Sequence, residues 1–152
     1  MSGNNNEQDS LKKKWAPNFT SKEDVQLAKS WVVISEDAIQ SNQQSKDKFF
    51  ARIAKDYNTY NSGAQRDANQ LQSRWKIIQP AILRFGAIHD QISKNPASGS
   101  APADWLTDAK EMFFRTEKKP FIYENAWNLL KVSPKWRTIL DGKAKNGAQP
   151  SV

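Results

Sequence analysis

The feature that most constrains this chain is the apolar series Leu71, Trp75, Ile78, Ile82 and Phe85, separated by steps of four, three, four and three. Only a helix of 3.6 residues per turn brings residues at those steps onto one face. With Leu71 as the origin, Trp75, Ile78 and Ile82 fall within ~40° of it on a wheel of about 100° per residue, so this face belongs to a core. Asp67 and Gln70 stand at capping-box spacing ahead of the series and mark a helix start. Pro80 lies inside it. A proline lacks the amide proton and crowds the preceding turn, so the sequence predicts a kink or a break there.

Two similar elements precede this one. Thr20 and Glu23 are at capping-box spacing, and Leu27, Trp31 and Ile34 follow at helical steps, predicting a helix over about 21–34. Ser41 and Gln44 repeat the capping spacing before Phe49, Phe50, Ile53, Ala54 and Tyr57, with an end expected at 58–63. Beyond them, Trp105, Ala109, Met112 and Phe113 indicate a fourth helix. Tyr123, Trp127 and Leu130 indicate a fifth that stops before Pro134. No segment alternates with the period of a strand, so the expected class is all-α.

Low-complexity stretches divide the chain. Residues 1–14 are polar and end in Lys12, Lys13 and Lys14, as in a disordered basic arm. Residues 93–103 gather Pro, Gly and Ser as a linker does, and 141–152 reads as a disordered tail. The intervening units are 15–92 and a helical C-terminal segment over 104–140, whose Trp105, Trp127 and Trp136 are expected to bury against the first unit or a second copy.

The composition excludes several chemistries. The chain has no Cys and one His, so neither a disulfide framework nor a thiolate or histidine metal site is expected. No cofactor is expected. No apolar stretch reaches the ~18 residues of a membrane span, and the N-terminus is too polar for a signal peptide. Glu23 and Asp24 point about 100° apart as neighbours on a helix, which suits capping better than paired acid–base work. No nucleophile, base and orienter set is visible, and the expectation is a non-enzyme.

The charge points outward. The formal net charge is +7, which suits a polyanionic partner. Within 66–85, four basic residues (Arg66, Arg74, Lys76, Arg84) face one acid, Asp67. On the wheel, Arg66, Asn69, Ser73, Lys76 and Arg84 lie at or beyond ~140° from the core direction, with Gln70 on the flank. Arg and Lys suit phosphate or guanine, and Asn and Gln suit an adenine edge. Arg74 is only ~60° from the core centre, which leaves two readings: a contact to a polyanionic partner, or packing with an ion pair to a helix-one acid.

The residues Asn18, Phe19, Thr20, Glu23, Asp24, Leu27, Trp31, Ser35, Asp37, Gln44, Phe49, Phe50, Ile53, Arg66, Leu71, Arg74, Trp75 and Ile78 resemble the plant Myb/SANT-like trihelix proteins. The series continues with Asp104, Ala109, Phe121, Trp127, Leu130, Pro134, Lys135 and Trp136, similar to a segment associated with the no-apical-meristem family. Transposon-encoded Myb-like proteins are relatives of the same type. The resemblance implies a Myb/SANT-like three-helix bundle over 15–92 plus additional C-terminal helices. It also implies double-stranded DNA as partner, a nuclear, transcription-factor-like or transposon-associated role, and a third helix lying in the major groove. The DNA-contacting residues would be Arg66, Asn69, Gln70, Ser73, Arg74 and Lys76, aided by Lys12, Lys13 and Lys14. The alternative is a SANT-like protein-interaction module in a chromatin or transposase complex, with the C-terminal helices offering a surface for a partner or for self-association.

Overall fold

A computed structural model describes residues 18–37 and 45–148. They form helices α1 (Ser21–Ser35), α2 (Lys46–Tyr60), α3 (Ala68–Lys94), α4 (Pro102–Glu117), α5 (Glu124–Leu130) and α6 (Pro134–Ala148), with no strand among the described residues. The protein is all-helical there. Lys12, Lys13, Lys14 and the expected cap at Ser41 and Gln44 lie outside the described residues.

Capping chemistry sets where the first three helices start. Thr20 Oγ1 accepts the Glu23 amide at 3.1 Å and Glu23 Oε1 accepts the Thr20 amide at 3.0 Å. Asp67 and Gln70 exchange the same bonds at 2.8 and 2.9 Å. Each exchange satisfies two amides that a helix start leaves unpaired. At α2 the cap is Ser45, whose hydroxyl accepts the Lys48 amide at 3.2 Å.

α1 is enclosed on most sides. Glu23, Asp24, Leu27, Ala28, Ser30, Trp31, Ile34 and Ser35 are all buried, leaving Lys22, Lys29, Val33 and Glu36 in a narrow outward stripe. A helix needs this much apolar and small-residue surface only when it has neighbours on several sides. Here α2 and α5 are its principal neighbours and α6 also reaches it. Ser30, on the α2 side, donates its hydroxyl to Asp56 at 2.6 Å.

α3 runs unbroken through Pro80. Pro80 is exposed, so the carbonyl that its missing amide leaves without a partner opens toward water. The Pro/Gly/Ser stretch shrinks to a turn over 95–101, in which Ser100 donates to the Ala97 carbonyl and accepts the Trp105 indole N–H at 3.0 Å. Gly99 takes φ 78°, the left-handed region where a side chain would be strained. The turn folds α4 back along α3, placing Phe113 against Phe85 and Glu117 on Arg84. The linker-like composition therefore joins two packed helices.

The C-terminal helices close the core. Ser133 caps α6 through a 3.4 Å bond from the Trp136 amide, and Pro134 begins that helix, where a missing amide costs nothing. The helix continues through Ala148, into the stretch expected as a tail. Trp136 is fully buried, 5.7 Å from Trp31 and 6.2 Å from Trp75, while Trp31 and Trp75 stack at 5.5 Å. Leu140 reaches Gly86, where an added Cβ would sit 3.5 Å from it and 3.6 Å from Trp127. Phe85 stacks on Phe121 at 3.9 Å. All of these belong to one core. Of the two expectations for the C-terminal tryptophans, burial against the first unit is the one seen: Trp127 and Trp136 are buried in its core and Trp105 is half-buried.

Because Trp136 fills the space between α1 and α3, Trp136→Ala is expected to cost about 3–5 kcal/mol. The loss should lower one cooperative melting transition, followed by circular dichroism. Two separated transitions would mean that the C-terminal helices fold apart from the rest.

Candidate functional site

The densest polar cluster lies where the start of α1 meets α2 and α3. Glu23 uses both carboxylate oxygens. Oε1 closes the cap on Thr20, while Oε2 accepts the Tyr57 hydroxyl at 3.1 Å and Arg66 Nε at 3.0 Å, with the Arg66 terminal nitrogen at 2.9 Å. Arg66 is 3% exposed, too little to reach a partner from outside. Its guanidinium lies 3.9 Å over the Phe19 ring, and its backbone exchanges bonds of 2.8 and 2.9 Å with the Asn58 side chain. One carboxylate therefore ties three elements together.

A second pair stands beside it. Arg74 donates to both oxygens of Asp24 at 2.8 Å each, a bidentate geometry that only the planar guanidinium provides. Its guanidinium also lies near the rings of Phe19 and Tyr123, at 5.3 and 5.7 Å. The bond to Asp24 outweighs burial and raises the Arg74 pKa further.

Burial by itself pushes the Glu23 carboxyl up. The Thr20 amide, Arg66 and the Tyr57 hydroxyl together outweigh it and hold the group below its ordinary value. Tyr57 moves the opposite way, because burial and then the neighbouring Glu23 charge keep the proton on its hydroxyl. Tyr57 therefore stays a hydrogen-bond donor to Glu23. His89 lies 4.8 Å from the Trp127 ring and 6.5 Å from Phe85, and its pKa is lowered, first by burial and also by Lys131, against Asp90. It lies away from the cluster.

These positions revise the expected site. Arg66 is buried on Glu23, not outward, because the turn before α3 directs it beneath α1. Arg74 takes the second of its two readings and pairs with a helix-one acid. Gln70 is engaged in the α3 cap. Arg84 is bound to Glu117. Asn69, Ser73 and Lys76 remain exposed, joined by Ile77 and Pro80 on one open face of the first half of α3. Glu23, Tyr57 and Phe19 are the members that sequence reasoning left out. The only signal for Glu23 was its capping spacing, which accounts for one of its two oxygens.

Fold and site together define an all-helical protein held by buried carboxylate–guanidinium pairs, with an open helix face beside them. The chain is similar to glutathione S-transferase T3 of Arabidopsis thaliana, at 26% identity over 132 residues. The match covers 85% of this chain and 22% of that protein, so the chain spans about a fifth of the length of this relative. No family model and no solved structure matches the chain. This similarity overturns the Myb/SANT-like trihelix reading and, with it, double-stranded DNA as the partner and the transcriptional or transposon-associated role, since the relative bears the name of a glutathione transferase. The same name bears against the expectation of a non-enzyme. No helix among the described residues is long and apolar enough to cross a membrane.

Breaking the buried pair should be costly, because removing one member leaves the other charge desolvated and alone. Arg66→Ala is expected to lose about 3–5 kcal/mol in denaturant titration. The pH dependence has a definite sign. A carboxylate lowered in the folded state stabilises fully above its unfolded value, near 4.3, and loses that contribution as pH falls through the folded value. The melting temperature should therefore drop as pH is lowered below about 4.3, and Glu23→Gln should flatten that drop. An unchanged profile in this variant would remove Glu23 from the account.

Proposed function

We propose that this chain is a helical docking module that holds another protein and leaves chemistry to other polypeptide. The observation that carries this reading is the open face of α3. Asn69, Ser73, Lys76, Ile77 and Pro80 are exposed over the first half of the helix, whereas the second half is covered by α4. A face that contains an exposed isoleucine and proline beside a lysine, on a helix anchored from behind, offers a rigid surface for a partner. The groups best suited to proton chemistry support the same reading, because Tyr57 and Arg66 bond to Glu23, and Arg74 bonds to Asp24.

A second reading, glutathione transfer by this chain itself, is favoured by the similarity to the Arabidopsis protein. That chemistry requires stabilising a thiolate. The Tyr57 hydroxyl is fully buried and already donates to Glu23, so it has no proton to offer a thiolate at the surface.

The two readings separate in one assay. The full chain, mixed with glutathione and an aryl halide electrophile, is expected to give conjugate only at the uncatalysed rate by absorbance. Saturable turnover that scales with protein concentration would sink the docking reading in favour of the transferase one.

A further inference from the structure

We infer that the open face of α3, together with the end of α4, is built to receive an acidic, amphipathic segment of a partner protein; this rests on the docking reading above. Three observations meet on that face. The first is its relief: Ile77 is 58% exposed, with Pro80 three residues on, along a stretch from Asn69 that spans ~16 Å of helix. Apolar side chains held up by a well-packed helix act as anchors for a complementary apolar residue.

The second observation is what borders that relief. The Arg84–Glu117 ion pair brings the end of α4 to the middle of α3, one turn beyond Pro80. There α4 stops at Lys118, in the left-handed conformation with φ 62°, and Lys119 follows. Both are exposed, as is Lys76 beside Ile77. An apolar anchor site is thus flanked by lysines from two elements.

The third observation concerns the sign of the charge. Among the described residues the arginines are matched to acids: Arg52 to Asp37, Arg66 to Glu23, Arg74 to Asp24, Arg84 to Glu117, Arg115 to Glu111 and Arg137 to Asp90. Lys76, Lys118 and Lys119 have no acid bonded to them there. The positive charge that remains for a partner is therefore concentrated in lysines, and lysine ammoniums suit carboxylates as point charges without demanding a fixed fork geometry. A segment with carboxylates flanking one or two apolar side chains complements this surface in both charge and shape.

The test uses the full chain and a fluorescent synthetic helix of about 14 residues, slightly longer than the open face, with leucine on one side and glutamate on the other. Anisotropy should report binding that weakens with salt, and the same peptide with glutamine for glutamate should bind at least about tenfold more weakly. Lys76→Glu with Lys119→Glu should weaken the acidic peptide by roughly tenfold, and Ile77→Ser should also weaken it. Lys29→Glu, on the outward stripe of α1, should leave binding unchanged. All four positions are exposed, and a melt of each variant confirms that folding is intact. The inference is overturned if no peptide binds, if the glutamine peptide binds equally, or if Lys29→Glu weakens binding as much as the α3 and α4 changes. Displacement of the peptide by a mixed-sequence DNA duplex that binds more tightly to the same face would overturn it as well. Failure here with no glutathione turnover leaves the docking reading without this partner, whereas turnover removes the reading itself.

Discussion

The Glu23 carboxylate is the interaction on which the arrangement of the first three helices depends. It begins as a local device, closing a capping box with Thr20, and that leaves one oxygen free. The free oxygen receives Tyr57 from α2 and Arg66 from the turn before α3. A carboxylate this deeply placed would be unfavourable alone, and its partners make burial tolerable only when all three elements are in register. The pair is therefore better regarded as a specification of geometry than as a source of stability. A helix displaced by one turn would leave a charge or a hydroxyl buried without a partner.

The apolar periodicity of α3 was legible because each of Leu71, Trp75, Ile78, Ile82 and Phe85 repeats the same local rule, and all five are buried as that rule requires. Starts of α1 and α3 were legible for a similar reason, since a capping box is a contact three residues long. What was not legible depended on distance. Arg66 sits on the wheel's outward side, yet the turn ahead of α3 carries it beneath α1 to a carboxylate 43 positions away. A wheel describes one helix in isolation and contains nothing of the neighbours that convert an outward arginine into an inward one. Arg74, closer to the core direction, retained both readings for the same reason, and Asp24 decides between them.

Proline and glycine were ambiguous in a different way. Pro134 has the chemistry to end one helix or to start the next, and Ser133 ahead of it supplies the cap that makes it a start. Pro80 has the chemistry to break α3, but its position on the exposed side lets water take up the carbonyl left unpaired. The Pro/Gly/Ser stretch after α3 has the composition of a flexible connector. Trp105 and Ser100 bond across it, and α4 lies back along α3. In each case the residue sets what is allowed and the packing around it selects one outcome.

The same selection explains why the first half of α3 stays open. The two ends of the chain's described core converge behind it, with Trp31, Trp75 and Trp136 filling one side and the Glu23 cluster fixing the other. α4 ends level with Arg84, where Glu117 meets it, and the segment after Lys118 returns to other sides of α3, with Phe121 on Phe85 and Tyr123 beside Arg74. The open face is thus a consequence of helix lengths: 27 residues in α3 against 16 in α4. A surface left by such a mismatch is as rigid as the core beneath it, so a partner docking there meets side chains that are already positioned, and the ordering cost of association falls mainly on the partner.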